Sequence, residues 1–113
     1  MANSKFPRKY KAKTLKSKLG RFIKVRPITS NRSGEAVRNQ YELEFENGYA
    51  FQSYDSLIGI FLRKDCKYYF TDMHDCSTTT SKYCGQWCGM NGKERRAALQ
   101  SGKAGLIDTA RMD

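Results

Sequence analysis

With 113 residues and a formal net charge of +10, the chain has room for one small domain and not for two. Its longest apolar run, Leu57-Ile58-Gly59-Ile60-Phe61-Leu62, is far shorter than the ~20 residues a membrane helix needs. No apolar stretch follows the basic N-terminus as a secretory signal requires, so the four cysteines are expected as reduced thiols and no membrane partner is expected.

The charge is segregated. Residues 1–34 hold eleven Lys or Arg and no Asp or Glu, whereas residues 35–113 hold ten Lys or Arg against eleven Asp or Glu. A cationic leader on a nearly neutral body reads as an interaction arm. Within residues 1–19, Lys5, Arg8, Lys9, Lys11, Lys13, Lys16 and Lys18 repel one another, and Phe6, Tyr10, Leu15 and Leu19 mark no helical stripe. The segment is therefore expected to be a flexible arm, with a single domain over residues 20–106 and a tail over 107–113.

In the domain, Ile23-Lys24-Val25-Arg26 alternates as a half-buried strand does, and Pro27 predicts its end or a sheet edge. A polar loop occupies residues 29–34. Tyr41-Glu42-Leu43-Glu44-Phe45 alternates strictly, and Asn47-Gly48 predicts a hairpin turn through positive φ. The return strand covers residues 49–54, a buried strand residues 57–62, and a further strand residues 67–71. The period then changes: Thr80, Tyr83, Cys84, Trp87 and Cys88 form a helical stripe, with Ser77 as N-cap and Gly89 past the end. Gly85 within it suggests close packing on the sheet. Asn91 and Glu94 make a capping box for a second helix that ends at Gly102. The expected fold is α+β: an antiparallel meander of four to five strands followed by two short C-terminal helices packed on one face.

Lysines and arginines in the arm can neutralise phosphates and release their counterions, and Phe6, Tyr10 and Phe22 can stack on bases. The candidate nucleic-acid-binding residues are Lys5, Arg8, Lys9, Lys11, Lys13, Lys16, Lys18, Arg21, Lys24 and Arg26. Lys93, Arg95 and Arg96 join them, near the N-terminus of a second helix arranged somewhat like a helix-turn-helix. His74, Cys76, Cys84 and Cys88 supply enough ligands for zinc, but their spacing fits no common zinc module. Cys84 and Cys88 fall on the buried helical stripe, so core thiols are the expectation, with no metal and no cofactor. His74 and Cys76 lie near Asp72 and Asp75, but these residues also serve as turn and cap residues, and no enzyme is expected. Gly48-Tyr49-Ala50-Phe51 has the outline of a base-stacking strand, although strand-loving aromatics pack in cores in the same way.

Phe51-Gln52-Ser53-Tyr54-Asp55-Ser56-Leu57-Ile58, followed by Cys76-Ser77-Thr78-Thr79-Thr80-Ser81-Lys82-Tyr83 and the helix end Trp87-Cys88-Gly89, resembles a small domain found in tailed-bacteriophage genomes. The resemblance covers roughly residues 41–102 and leaves out the basic arm. It implies a phage origin, no catalytic residues and no assigned activity. Aliphatic residues often stand in that family where this chain has Cys84 and Cys88, which implies packing at those positions. The expectation is a small, non-enzymatic phage protein that binds DNA or RNA largely without sequence preference in the cytoplasm of the bacterial host. The alternatives are a protein that binds and modulates a host protein, or a virion component that touches the genome.

Overall fold

A computed structural model describes residues 9–112. A seven-stranded mixed sheet runs through the molecule in the order β1-β7-β6-β5-β4-β3-β2. Its strands are β1 (Lys9–Tyr10), β2 (Phe22–Thr29), β3 (Ala36–Phe45), β4 (Gly48–Ser53), β5 (Ser56–Leu62), β6 (Lys67–Phe70) and β7 (Gly105–Ile107). Strands β2 to β6 form the antiparallel meander, and β7 joins β6 and β1 in parallel. The three helices are α1 (Ala12–Leu19), α2 (Thr78–Cys88) and α3 (Gly92–Ser101), with a 3-10 turn at Asp72–Asp75 before α2.

This corrects the expected four-to-five-strand antiparallel meander with two helices on one face. The fold is α+β, but the sheet is mixed, has seven strands, and is covered on both faces. Ala12, Leu15 and Leu19 of α1 pack on Ala50, Leu57, Ile60, Leu62, Tyr69 and Ile107. Cys84, Ala98 and Leu99 of α2 and α3 pack on Ile28, Phe51, Ile58 and Phe70. Neighbouring strand residues such as Ala50 and Phe51, or Tyr69 and Phe70, point to opposite faces, as period-2 geometry requires.

The ordered body also reaches beyond residues 20–106. From Lys9 on, the segment expected as an arm is part of the fold. Helix α1 crosses the sheet from the β1 edge toward the β2 edge, with Leu15 and Leu19 each 1% exposed. Its stripe is Ala12, Leu15 and Leu19, spaced i, i+3, i+7. Lys11 offers no side-chain cap. Instead, the Ala12 N–H donates to Asp108 Oδ1 at 3.0 Å, placing a carboxylate at the positive end of the helix. At the other end Asn47 donates its backbone N–H to Leu19 O and its side-chain amide to Lys18 O, which satisfies orphan carbonyls of the last turn. Beyond residue 106, Ile107 is buried and Met112 packs against the α1 cluster.

The β3–β4 turn corrects a second expectation. Neither Asn47 nor Gly48 has positive φ. Gly48 is needed for close approach instead: a Cβ there would lie 1.9 Å from the carbonyl oxygen of Phe61 on β5. The helical punctuation, by contrast, is as expected. Ser77 accepts from the Thr80 N–H, Gly89 is left-handed, and Asn91 and Glu94 form the reciprocal capping box.

Candidate nucleic-acid interface

The exposed side of α1 is the most cationic element among the described residues. Once Ala12, Leu15 and Leu19 face the sheet, a 100° step per residue turns Lys13 and Ser17 outward and puts Lys16 and Lys18 on opposite flanks. Lys9, Lys11, Lys13 and Lys18 are exposed. None of them makes an ion pair among the described residues. Lys16 is half-buried and donates to the carbonyls of Arg111 (3.2 Å) and Met112 (3.0 Å), which ties the C-terminal segment to the helix. Beyond Lys18, Arg63 and Lys64 share with it a hollow of about 530 Å³ that also contains Glu46 and Asp65. Arg63 and Lys64 were not singled out from the sequence, because only the β5–β6 turn brings them beside α1.

The remaining candidates divide. Lys5 and Arg8 lie outside the described residues. Arg21 is exposed, with Glu46 at 3.9 Å. Lys24 is exposed. Arg26 forms ion pairs with Glu42 (2.9 Å) and Glu44 (3.0 Å), and these hydrogen bonds raise its pKa further. Its charge is therefore met on the protein.

The α3 group lies on the other face of the sheet and does not join the α1 group. Arg95 is 0% exposed, which removes it from any surface. Its guanidinium donates to His74 Nδ1 (2.9 Å), His74 O (3.2 Å), Met90 O (2.7 Å) and Ser81 Oγ (2.7 Å). Gly85 makes room for this group rather than for the sheet: a Cβ there would lie 3.2 Å from Met90 O and 3.4 Å from Arg95 Nη1. Arg96 is exposed but paired with Asp75 at 3.0 Å. Lys93 alone of the three is exposed and without an ion pair among the described residues.

His74 is buried, and desolvation holds its pKa below the ordinary value. Arg95 and Arg96 push the same way, against Asp75 and Asp72. Its Nδ1 is already occupied by Arg95. Cys76 is exposed and Cys84 is buried. Among the described residues, no group of three or more His, Cys, Asp or Glu side chains gathers as a metal site requires. Cys84 and Cys88 sit one helical turn apart, and Cys88 Sγ donates to Met90 O at 3.5 Å. The interaction between the two thiols and burial hold the Cys84 thiol far above its usual range, while the same interaction lowers Cys88 to about 7.

The aromatic strand is a packing surface on the α2 side. Phe51 is 0% exposed and lies under Trp87, rings stacked at 5.6 Å and 22°. Tyr68 meets the same indole edge-on at 5.2 Å, and the indole N–H donates to Glu42 Oε2 at 2.9 Å. Gly59 leaves the space for this ring, since a Cβ would lie 2.8 Å from Trp87 Cζ3.

Fold and surface together define a small mixed-sheet α+β protein with a lysine-lined helix on one face and a helix pair, pinned by a buried arginine, on the other. The chain belongs to a family of unknown function, DUF8033, whose model matches residues 23–103. That stretch runs from β2 through α3 and leaves α1 outside. No curated protein and no solved structure matches the chain.

Proposed function

We propose that this chain is a small, non-enzymatic nucleic-acid-binding protein of bacteriophage origin, acting in the cytoplasm of the bacterial host. It binds largely without sequence preference. One observation carries the reading: Lys9, Lys11, Lys13 and Lys18, on the packed stretch from β1 through α1, stand exposed and without ion pairs among the described residues. Fixed lysines engage successive phosphates at lower entropic cost than a floppy tail. Point-like ammonium groups contact backbone phosphates and carry little base information. The phage origin rests on the resemblance of the Phe51-Gln52-Ser53-Tyr54 and Ser77-Thr78-Thr79 segments.

A second reading, binding to a host protein, is favoured by Ile23 (50% exposed) and Val25 (54%) on the edge strand β2. Exposed apolar groups of this kind suit a protein partner. A virion component that contacts the genome would use the same α1 surface as the first reading. A pull-down from bacterial lysate with and without nuclease separates nucleic acid from protein. Material lost on nuclease treatment supports nucleic-acid binding; a stoichiometric, nuclease-resistant protein supports the second reading.

A further inference from the structure

Resting on the nucleic-acid reading above, we propose that the cleft between α1 and the β5–β6 turn holds the nucleic-acid backbone, with Arg63 and Lys64 binding phosphates from the side opposite Lys18. The turn runs alongside the helix. Near the N-terminal end of α1, Lys67 donates to Tyr10 Oη at 3.4 Å and lies 5.2 Å from the centre of that ring. Lys11 stands exposed at the same end. Near the C-terminal end, Lys18, Arg63 and Lys64 border the hollow of about 530 Å³. Cations therefore mark both ends of the cleft. The eight residues of α1 rise about 12 Å, and a DNA strand carries a phosphate about every 3.4 Å along the duplex axis. The cleft is long enough to meet several phosphates.

The charges of the hollow select the occupant. Lys18, Arg63 and Lys64 are exposed, and none of them makes an ion pair with a carboxylate among the described residues. The two carboxylates there are engaged by the protein itself. Glu46 accepts from the Arg21 N–H at 2.8 Å and has the Arg21 guanidinium at 3.9 Å, and Asp65 accepts from the Tyr69 hydroxyl at 3.0 Å. Arg63 is also fixed in place: its guanidinium donates to Glu46 O and to Tyr49 Oη and lies 5.0 Å from the centre of the Tyr49 ring. A guanidinium positioned by a carbonyl and a ring keeps its full charge for an outside anion, and its planar fork suits phosphate. Lys18 and Lys64 add point charges from the two walls. Contacts of this kind follow the backbone and read no bases.

The test uses the full chain and a salt titration on a single-stranded oligonucleotide of mixed sequence. Lys64→Gln should lose about 0.7 from the steepness of log affinity against log salt, and the double variant Arg63→Gln, Lys64→Gln about 1.4. Lys64 makes no hydrogen bond or ion pair among the described residues, so its single variant should melt like wild type. The control, Lys93→Gln with Lys103→Gln, removes the same net charge from exposed positions on the α3 side and should keep the wild-type slope. A wild-type slope and affinity in both cleft variants overturns the inference, as does an equal loss in the control. In those cases binding itself survives, and with it the broader reading. No binding to any oligonucleotide at low salt sinks both. Tighter, Lys64-dependent binding to a poly-glutamate peptide than to the oligonucleotide reassigns the cleft to an acidic protein and overturns it.

Discussion

Arg95 donates its Nε–H to Nδ1 of His74 across 2.9 Å, and both side chains are buried. The bond requires a lone pair on Nδ1, so the imidazole is neutral with its proton on Nε2. No carboxylate pairs with Arg95 among the described residues. The guanidinium is held by backbone carbonyls and a hydroxyl, one of them the Met90 carbonyl just past the negative end of α2. One side chain thereby joins the 3-10 turn, α2 and α3.

Arg95→Lys should therefore cost about 2 to 3 kcal/mol, because an ammonium cannot reproduce the fork that reaches four acceptors. Arg96→Gln on the neighbouring exposed position should stay within about 0.5 kcal/mol. Urea denaturation midpoints of the two variants check this. Equal effects would show that Arg95 is not the pin.

The same pair sets an acid dependence. His74 has a folded pKa below its ordinary 6.5, chiefly through burial. The unfolded chain therefore takes up the proton first as pH falls. The contribution of His74 to stability is intact above about pH 6.5 and is lost progressively below it, toward the lowered folded value. Melting temperatures of wild type and His74→Gln, compared at pH 7.5 and pH 5, should show a larger drop in wild type. Parallel drops would contradict the assignment.

Gly59→Ala should destabilise by about 1 to 3 kcal/mol, because the new methyl meets Trp87 Cζ3 at 2.8 Å and the indole must move off Phe51. Trp87 is the single tryptophan of the chain, so its fluorescence reports the shift directly. An unchanged emission spectrum and melting temperature would count against this packing.

Leu15→Ala should cost about 3 kcal/mol, the ordinary price of a buried leucine. A melting temperature equal to wild type would return the basic segment to the status of a flexible arm. Truncating residues 1–18 removes this core contact, so it cannot serve as a charge-only test.

The meander and the helix caps were legible because each rests on local chemistry: strict alternation at Tyr41, Leu43 and Phe45, and capping by Ser77, Asn91 and Glu94. Helix α1 was hidden by its charge. Lysine density argues for disorder, and the buried stripe shows only when the small Ala12 is taken together with Leu15 and Leu19. Its cap, Asp108, is 96 positions away in the chain. Strands β1 and β7 are two and three residues long, too short for alternation to register, and their parallel pairing depends on the α2–α3 crossover. The burial of Arg95 could not be read from Lys93, Arg95 and Arg96 as a surface cluster. It follows from the i+4 spacing to Leu99, with Ala98 beside it, which puts Arg95 on the inward side of α3.

The central claim is that the lysines on and just before α1 hold phosphates. Replacing Lys11, Lys13 and Lys18 by Gln removes three exposed charges and leaves Ala12, Leu15 and Leu19 in the core. The measurement is the slope of log affinity against log salt on a single-stranded oligonucleotide, for wild type and this triple variant. At about 0.7 per phosphate contact, the triple variant should lose about 2 from the steepness of the slope, bind more weakly at low salt, and melt like wild type. Identical slopes and affinities would contradict the account.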